Sequence, residues 1–504
     1  MPSILIAAPS TLAAGVGATV ADAGGSVVDA AIAATLTAMC SEPGVCAPGG
    51  GGYLTVWPTG EDPVSIDGYM AMPGKGLDPG HALVSRQVTM EYGGGITTDV
   101  GPATIAVPGA FAAFEASHAR WGRLPWAEVI GSVADALAEG FPLPAACRYY
   151  LGFSGSSVFG VDPASRAALH DGDRLLDTSE SVLVEGLTDT LRHIANEGAN
   201  TFYRGDLAAT IASDLEARGA RLTRLDLESY QAVVRAPLVS RLGEWSVATT
   251  PPPAVGGVTL SAILRRVVRS GDPFDPGTWI EAQAEVLGTH RSALEHARDR
   301  EAAGWALLGQ IPDDPVSAGS TVSIAAAGSD GSLCAATMSG GYGSGVIPTG
   351  TGLWMNNSLG EVELNPGGLE ANPVGERLIS NMAPTVVTGP GRRIAIGSPG
   401  ADRITSALAI TLTLLMQGTG LSEAVEHPRA HFERRTERVS AEPGLRMPTT
   451  GYGVVEFNAR DMYFGGVTAV ENHDGGLIGH ADSRRTGGVA GGGARDENPS
   501  QQAL

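Results

Sequence analysis

The chain has 504 residues, with 33 Lys+Arg against 54 Asp+Glu and a formal net charge of −21. That length suits two to four ordinary domains or one large layered fold, and 43% hydrophobic with 17% charged residues describes a globular chain with a large core. The acidic balance excludes partners held through nucleic-acid or membrane phosphates, which need clustered positive charge. One lysine, Lys75, stands against 32 arginines, which leaves almost no scope for Schiff-base chemistry.

Two alanine-rich helices are expected over Ala13–Ala23 and Asp29–Met39, separated by Gly24 and Gly25. A glycine run, 49–52, then leads into a strand over Tyr53–Trp57. Cys40, Cys46, Cys147 and Cys334 include no CxxC pair and read as small buried residues in a reducing compartment. From about Trp126 to Arg300 the spacing is mostly helical, as in Leu207–Arg218 and Ile280–Arg300, with a proline break at Thr250–Ala254. The N-terminus has no basic start followed by a long apolar region, and the apolar runs Ala30–Met39 and Ala407–Met416 are short of the ~18 residues that span a bilayer. A soluble, cytoplasmic protein is expected. The glycine-rich stretch 487–504 is expected to be a disordered tail.

At Thr321 the texture changes to short β-type runs of small residues. The acidic, proline-bearing segment 311–320 opens directly into Thr321-Val-Ser-Ile-Ala-Ala-Ala327, which reads as a strand buried on both faces. On this pattern alone, a linker followed by an ordinary strand describes it. If Ser329-Asp330-Gly331 is a hairpin turn, pairing about residue 330 sets Thr321 opposite Ser339, hydroxyl beside hydroxyl.

Other motifs weigh less. His427 and His431 are spaced i, i+4, but Pro428 lies between them and no HExxH or third ligand accompanies them. The glycine run 49–52 lacks the GK[ST] of a P-loop. Gly340–Gly345 lacks the dinucleotide-fingerprint spacing, and Gly152–Ser156 lacks that of a nucleophile elbow.

A series of motifs resembles the γ-glutamyltranspeptidase family of self-cleaving N-terminal-nucleophile hydrolases. They are Ala23–Ala31, Glu42-Pro-Gly, Gly49–Tyr53, Val107-Pro-Gly109, Trp121–Trp126, Glu139-Gly-Phe141, Phe202–Gly205, Pro251–Gly257, Met382–Thr385, Gly397–Gly400 and Asp482-Ser-Arg484. Each is weak alone, but they recur in the family's order over nearly the whole chain. The resemblance implies an α+β, four-layer αββα sandwich without metal or organic cofactor. It implies cleavage between Ser320 and Thr321 into paired segments, 1–320 and 321–504. Thr321 would be the nucleophile, its freed α-amine the base and Ser339 an orienting hydroxyl. The backbone N–H groups of Gly400 and Ala401 would form the oxyanion hole, although the family usually has glycine where Ala401 stands.

The substrate clamp departs from the family. Tyr69 stands where an arginine normally binds the α-carboxylate of a γ-glutamyl substrate, and Gly341 replaces an asparagine. The remaining binding positions fall at Ser358, Glu361, Ser380 and Asn381. The resemblance therefore implies a self-processed, γ-glutamyltransferase-like enzyme that cleaves a γ-glutamyl-type bond in a small amide by acyl transfer to Thr321 and then to water or an amine, while the altered clamp argues against glutathione as its substrate. The alternatives are an acylase or amidohydrolase with a non-γ-glutamyl substrate, in secondary metabolism and including C–C hydrolysis, or an uncleaved, non-catalytic homologue.

Overall fold

The computed structural model describes residues 2–92, 95–270, 272–295, 297, 299–309, 321–361, 364–365, 367–474, 476–492 and 495–496. Its principal strands in chain order are β1 (Ile4–Ala8), β2 (Gly51–Trp57), β3 (Val64–Gly68), β4 (Val233–Arg235), β5 (Leu238–Leu242), β6 (Trp245–Thr249), β7 (Val322–Gly328), β8 (Leu333–Ser339), β9 (Thr385–Gly389), β10 (Arg392–Gly397), β11 (Thr468–His473), β12 (Gly476–Ala481), β13 (Gly488–Gly491) and β14 (Arg495–Asp496). One seven-stranded sheet has the order β4-β3-β2-β8-β7-β1-β13, and the other β5-β6-β9-β10-β11-β12-β14. The helices packed on them include α1 (Thr11–Asp22), α2 (Val27–Ser41), α3 (Gly256–Ser270) and α4 (Arg403–Met416).

The layering follows from side-chain alternation on β7. Val322, Ile324 and Ala326 point to the α1/α2 side and share a core with Ile32 and Leu36. Ala325 and Ala327 point the other way and meet Ala248, Val386, Ala395 and Val470 of the second sheet. That sheet buries its outer face, including Val247, Ile394 and Ile396, under Leu260 and Leu264 of α3 and Leu408 and Leu412 of α4. The result is the expected αββα sandwich. Strands from before and after residue 320 occur in both sheets, so the two segments are interleaved in one fold.

Local chemistry sets the element ends. Ser26 and Asp29 form a reciprocal capping box at the start of α2. Asp29 also accepts the N–H groups of Arg123 and Leu124, at 2.7 and 3.3 Å, which ties two of the sequence motifs together. Every residue of α2 is buried, so it lacks the one-sided apolar stripe of a surface helix. The helix expected over Ile280–Arg300 is instead two, Pro276–Glu295 and Arg300–Gly309; Asp299 starts the second by accepting the Ala302 N–H. No helix among the described residues is long and apolar enough to cross a membrane.

The glycine-rich end differs from the expected tail. Gly488–Gly491 forms the edge strand beside β1, and Arg495–Asp496 pairs with β12. The glycines are there for proximity: a Cβ on Gly488 would lie 2.7 Å from the Thr11 Cα, and one on Gly491 would strike the Ile4 carbonyl. Residues 497–504 lie outside the described residues.

Candidate active site

Thr321 immediately precedes β7. The β7–β8 register runs from Val322↔Met338 to Ala327↔Leu333, so the next pair outward is Thr321 with Ser339, as the sequence predicts. The turn is held by Asp330, which accepts the Ser332 N–H and hydroxyl at 3.0 and 2.6 Å. Thr321 and Ser339 are in phase with Ala325 and Ala335, which face the second sheet, and both are buried. The Ser339 Oγ accepts the Gly341 N–H at 3.0 Å. Ser320, the other half of the expected cleavage site, lies outside the described residues.

The second sheet supplies the facing wall. Gly397, the last residue of β10, lies so close to Ser323 that a Cβ would strike its hydroxyl. From there the chain runs through Ser398, Pro399, Gly400 and Ala401 into α4, whose N-cap is Asp402. Among the described residues, neither the Gly400 nor the Ala401 N–H donates a hydrogen bond to protein. Two unspent amides at the start of a 14-residue helix form a natural cradle for developing negative charge. Ala401 has φ 67, in the left-handed region that favours glycine over residues with a Cβ.

Beneath this loop lies a group that the sequence reading did not connect with it. The Asp402 carboxylate is 2.8 Å from Arg403 Nη1 and 3.4 Å from His431 Nε2, while His431 Nδ1 is 2.9 Å from the Ser406 hydroxyl. His427 follows a helix that ends at Glu426, whereas His431 lies in a strand, so the two share no helical face.

The expected binding residues gather around the first sheet. Tyr69 lies one residue beyond the Gly52–Gly68 pair and stacks on Tyr53, with ring centroids 5.6 Å apart and planes at 14°. Burial pushes the Tyr69 phenol well above its ordinary pKa, the Glu361 carboxylate adds to the rise, and the Ser380 hydroxyl opposes it. Tyr69, Glu361 and Ser380 are therefore neighbours. Tyr53, absent from the sequence-derived site, also touches Ser380. Gly341, at φ 62, brings its loop so close to Asn357 and Glu361 that any Cβ would collide with both. Ser358 and Asn381 are buried in the adjoining turns, and the Ser358 hydroxyl has no protein partner among the described residues.

Among the described residues, the two arginines bound to Asp67, two positions before Tyr69, have partners of their own. Arg377 Nε binds Asp67 Oδ1 at 3.2 Å, its guanidinium lies 4.4 Å from the Tyr230 ring centre, and a second arginine, Arg235, holds the other Asp67 oxygen at 3.0 Å. Both cations are already committed to a buried carboxylate.

Glu42 is buried where α2 ends. Burial raises its carboxyl to about 7, against the pull of Arg485 and a hydrogen bond from Ser10. The charged form is disfavoured in the fold, so the stability Glu42 supplies is present below pH ~4.5 and lost as pH rises through ~7. Glu42→Gln is expected to melt increasingly above the wild type between pH 5 and 8, by up to roughly 3 kcal/mol; a pH-independent gap in thermal melts would contradict this. Ala401→Gly is expected to stabilise the fold by about 0.5–1 kcal/mol by relieving the left-handed strain, and Ala401→Val to destabilise it, as read by denaturation midpoints.

The chain is similar to known proteins along most of its length. The family profile described as Gamma-glutamyltranspeptidase matches residues 13–297 and 278–492. The chain is 24% identical over 499 residues to the glutathione hydrolase proenzyme of Escherichia coli (strain K12), covering 88% of this chain and 83% of that protein. It is 26% identical over 536 residues to the acylase ACY 1 proenzyme of Pseudomonas sp. (strain V22), covering 96% and 94%. The fold superposes on cephalosporin acylase from Bacillus halodurans with a TM-score of 0.77 at 22% identity, covering 99% of this chain and 96% of that one. The chain thus belongs to the gamma-glutamyltranspeptidase family and is an enzyme, γ-glutamyltransferase-like or acylase-like.

Proposed function

We propose that the protein is a self-processing amide hydrolase or acyltransferase with Thr321 as its nucleophile, acting on an acyl group without the α-carboxylate of a γ-glutamyl substrate. The reading rests on one observation: Thr321 opens β7 beside Ser339, on the face turned toward the second sheet, whose Gly400–Ala401 loop carries two unspent amides. In processing, the Thr321 hydroxyl attacks the Ser320 carbonyl, the peptide C–N bond breaks, and the acyl group passes to oxygen as an ester. Water cleaves the ester, leaving a Ser320 carboxylate and a free Thr321 amine and hydroxyl. Relatives named as proenzymes favour this step.

In turnover, the α-amine, with an ordinary pKa near ~8, takes the hydroxyl proton as oxygen attacks the substrate carbonyl. The Gly400 and Ala401 N–H groups stabilise the resulting oxyanion. The protonated amine then gives its proton to the leaving nitrogen, the C–N bond breaks, and water or an amine takes the acyl group from Thr321. Ser339 orients the attacking hydroxyl. On this account segment 1–320 stays paired with segment 321–504, because their strands are shared.

Tyr69 decides the substrate class. A phenol kept neutral by burial cannot make the charged, bidentate contact of an arginine with carboxylate, and Glu361 beside it repels one. Glutathione is therefore not the substrate favoured here. Ser358, Ser380 and Asn381 offer neutral hydrogen-bonding groups, which suits a neutral or cationic acyl group. The Tyr53–Tyr69 stack provides it with an aromatic wall.

Two experiments test these assignments. Thr321→Ala is expected to leave one uncut 51.4 kDa chain and to lower turnover at least ~10³-fold; retained activity would remove Thr321 from the mechanism. Given phenylacetyl and γ-glutamyl p-nitroanilides, the wild type is expected to favour the phenylacetyl compound at least ~10-fold in kcat/KM, and Tyr69→Arg to narrow that gap. Preference of the wild type for the γ-glutamyl compound would overturn the substrate assignment while leaving the nucleophile in place.

A further inference from the structure

At the far end of β2 from Gly51, the two sheets part around a cleft of about 710 Å³. Trp57, Asp62 and Pro63 line it from the first sheet; Arg241 and Ser246 from the β5–β6 hairpin, and Arg265 and Arg269 from α3, line it from the second. Among the described residues, Asp62 is its only acidic lining residue and none of the three arginines makes an ion pair. That is unusual in a chain of net charge −21, where a carboxylate partner is easily found.

Arg265 donates to the Leu308 carbonyl and the Ser240 hydroxyl at 3.3 Å each, contacts that fix the side chain without neutralising it. Arg269 is one helical turn further along α3, an i, i+4 pair of like charges that opposes the helix. The negative end of α3 accounts for a cation in its last turn, but not for Arg265 a turn earlier or for Arg241 on a different element. Burial and the charge of Arg269 both push the Arg265 guanidinium below its ordinary pKa, the mark of a cation waiting for a counter-charge. Val239 and Val268 flank the cleft and are 41% and 38% exposed, giving it apolar edges beside the charged floor.

We propose that this cleft is a binding site for a small organic anion carrying two or more negative charges, of the phosphate-ester or polycarboxylate class, separate from the nucleophile. Guanidinium groups match both chemistries because their paired N–H donors fit the two oxygens of a phosphate or a carboxylate. The volume falls in the range of ordinary ligand sites. Because the lining comes from both sheets, a bound anion joins them and stabilises the fold.

The test is a thermal melt of the full protein with inorganic pyrophosphate or with citrate, each against sodium chloride at equal ionic strength. The wild type is expected to show a saturable rise in Tm of about 2 °C or more with at least one probe, and the exposed double variant Arg241→Gln/Arg269→Gln to lose most of it. The variant's Tm in chloride and its anilide turnover are expected to match the wild type. Pyrophosphate as the better probe assigns the phosphate class, and citrate the carboxylate class. Titration calorimetry with the same probes reads binding independently of stability. No saturable effect beyond the chloride control, or an undiminished effect in the double variant, would overturn the proposal.

Discussion

The hairpin of Val322–Gly328 and Leu333–Ser339 turns through Asp330, whose carboxylate accepts both the backbone and hydroxyl protons of Ser332. Because strand side chains alternate, a slip of one residue in that turn would send Thr321 to the helix side of the sheet and away from the Gly400–Ala401 loop. The alanines of β7 and β8 enforce the register by letting the two sheets pack closely between Ala325, Ala335 and Ala395. At the end of this interface the side chains change from alanine to hydroxyls at Ser323 and Thr337, and then at Thr321 and Ser339. The candidate site is the place where an alanine-lined sheet-to-sheet contact ends in a row of hydroxyls.

Much of this was legible in the sequence because it depends on local periods. Asp-Gly at 330–331 centred the hairpin, and the pairing of Thr321 with Ser339 followed from counting outward. Both N-terminal helices appeared within a few residues of their predicted ends. What escaped notice depends on distant contacts. The glycine-rich composition of 487–504 reads as a disordered tail, whereas Gly488 and Gly491 let an edge strand lie against Thr11 and Ile4. Tyr53 carried no signal of its own, because only the fold stacks it on Tyr69. In the sequence His431 has only its spacing from His427, while in the fold its neighbours are Asp402 and Ser406, beside the Gly400–Ala401 loop.

The altered binding side is best understood through charge. In a site this buried, a carboxylate needs a dedicated cation, and the cations near Tyr69 are held by Asp67. On the proposed reading, tyrosine in place of arginine changes more than one contact: it removes the group that would compensate a substrate anion, while Glu361 remains. Gly341 contributes to the same change. By carrying no side chain it lets Asn357 and Glu361 close over a space that an asparagine would occupy. On the proposed reading Thr321 and the Gly400–Ala401 loop supply the acyl-transfer chemistry, and what sets this chain apart is what the acyl pocket accepts.

The central claim is that Thr321 becomes a chain terminus, since only then are nucleophile and base supplied by one residue. Intact-mass measurement and N-terminal sequencing of freshly purified protein test it most directly. Two tightly associated fragments, the smaller beginning with Thr321, are the predicted result. A single chain of 51.4 kDa that stays uncut on prolonged incubation would contradict the account.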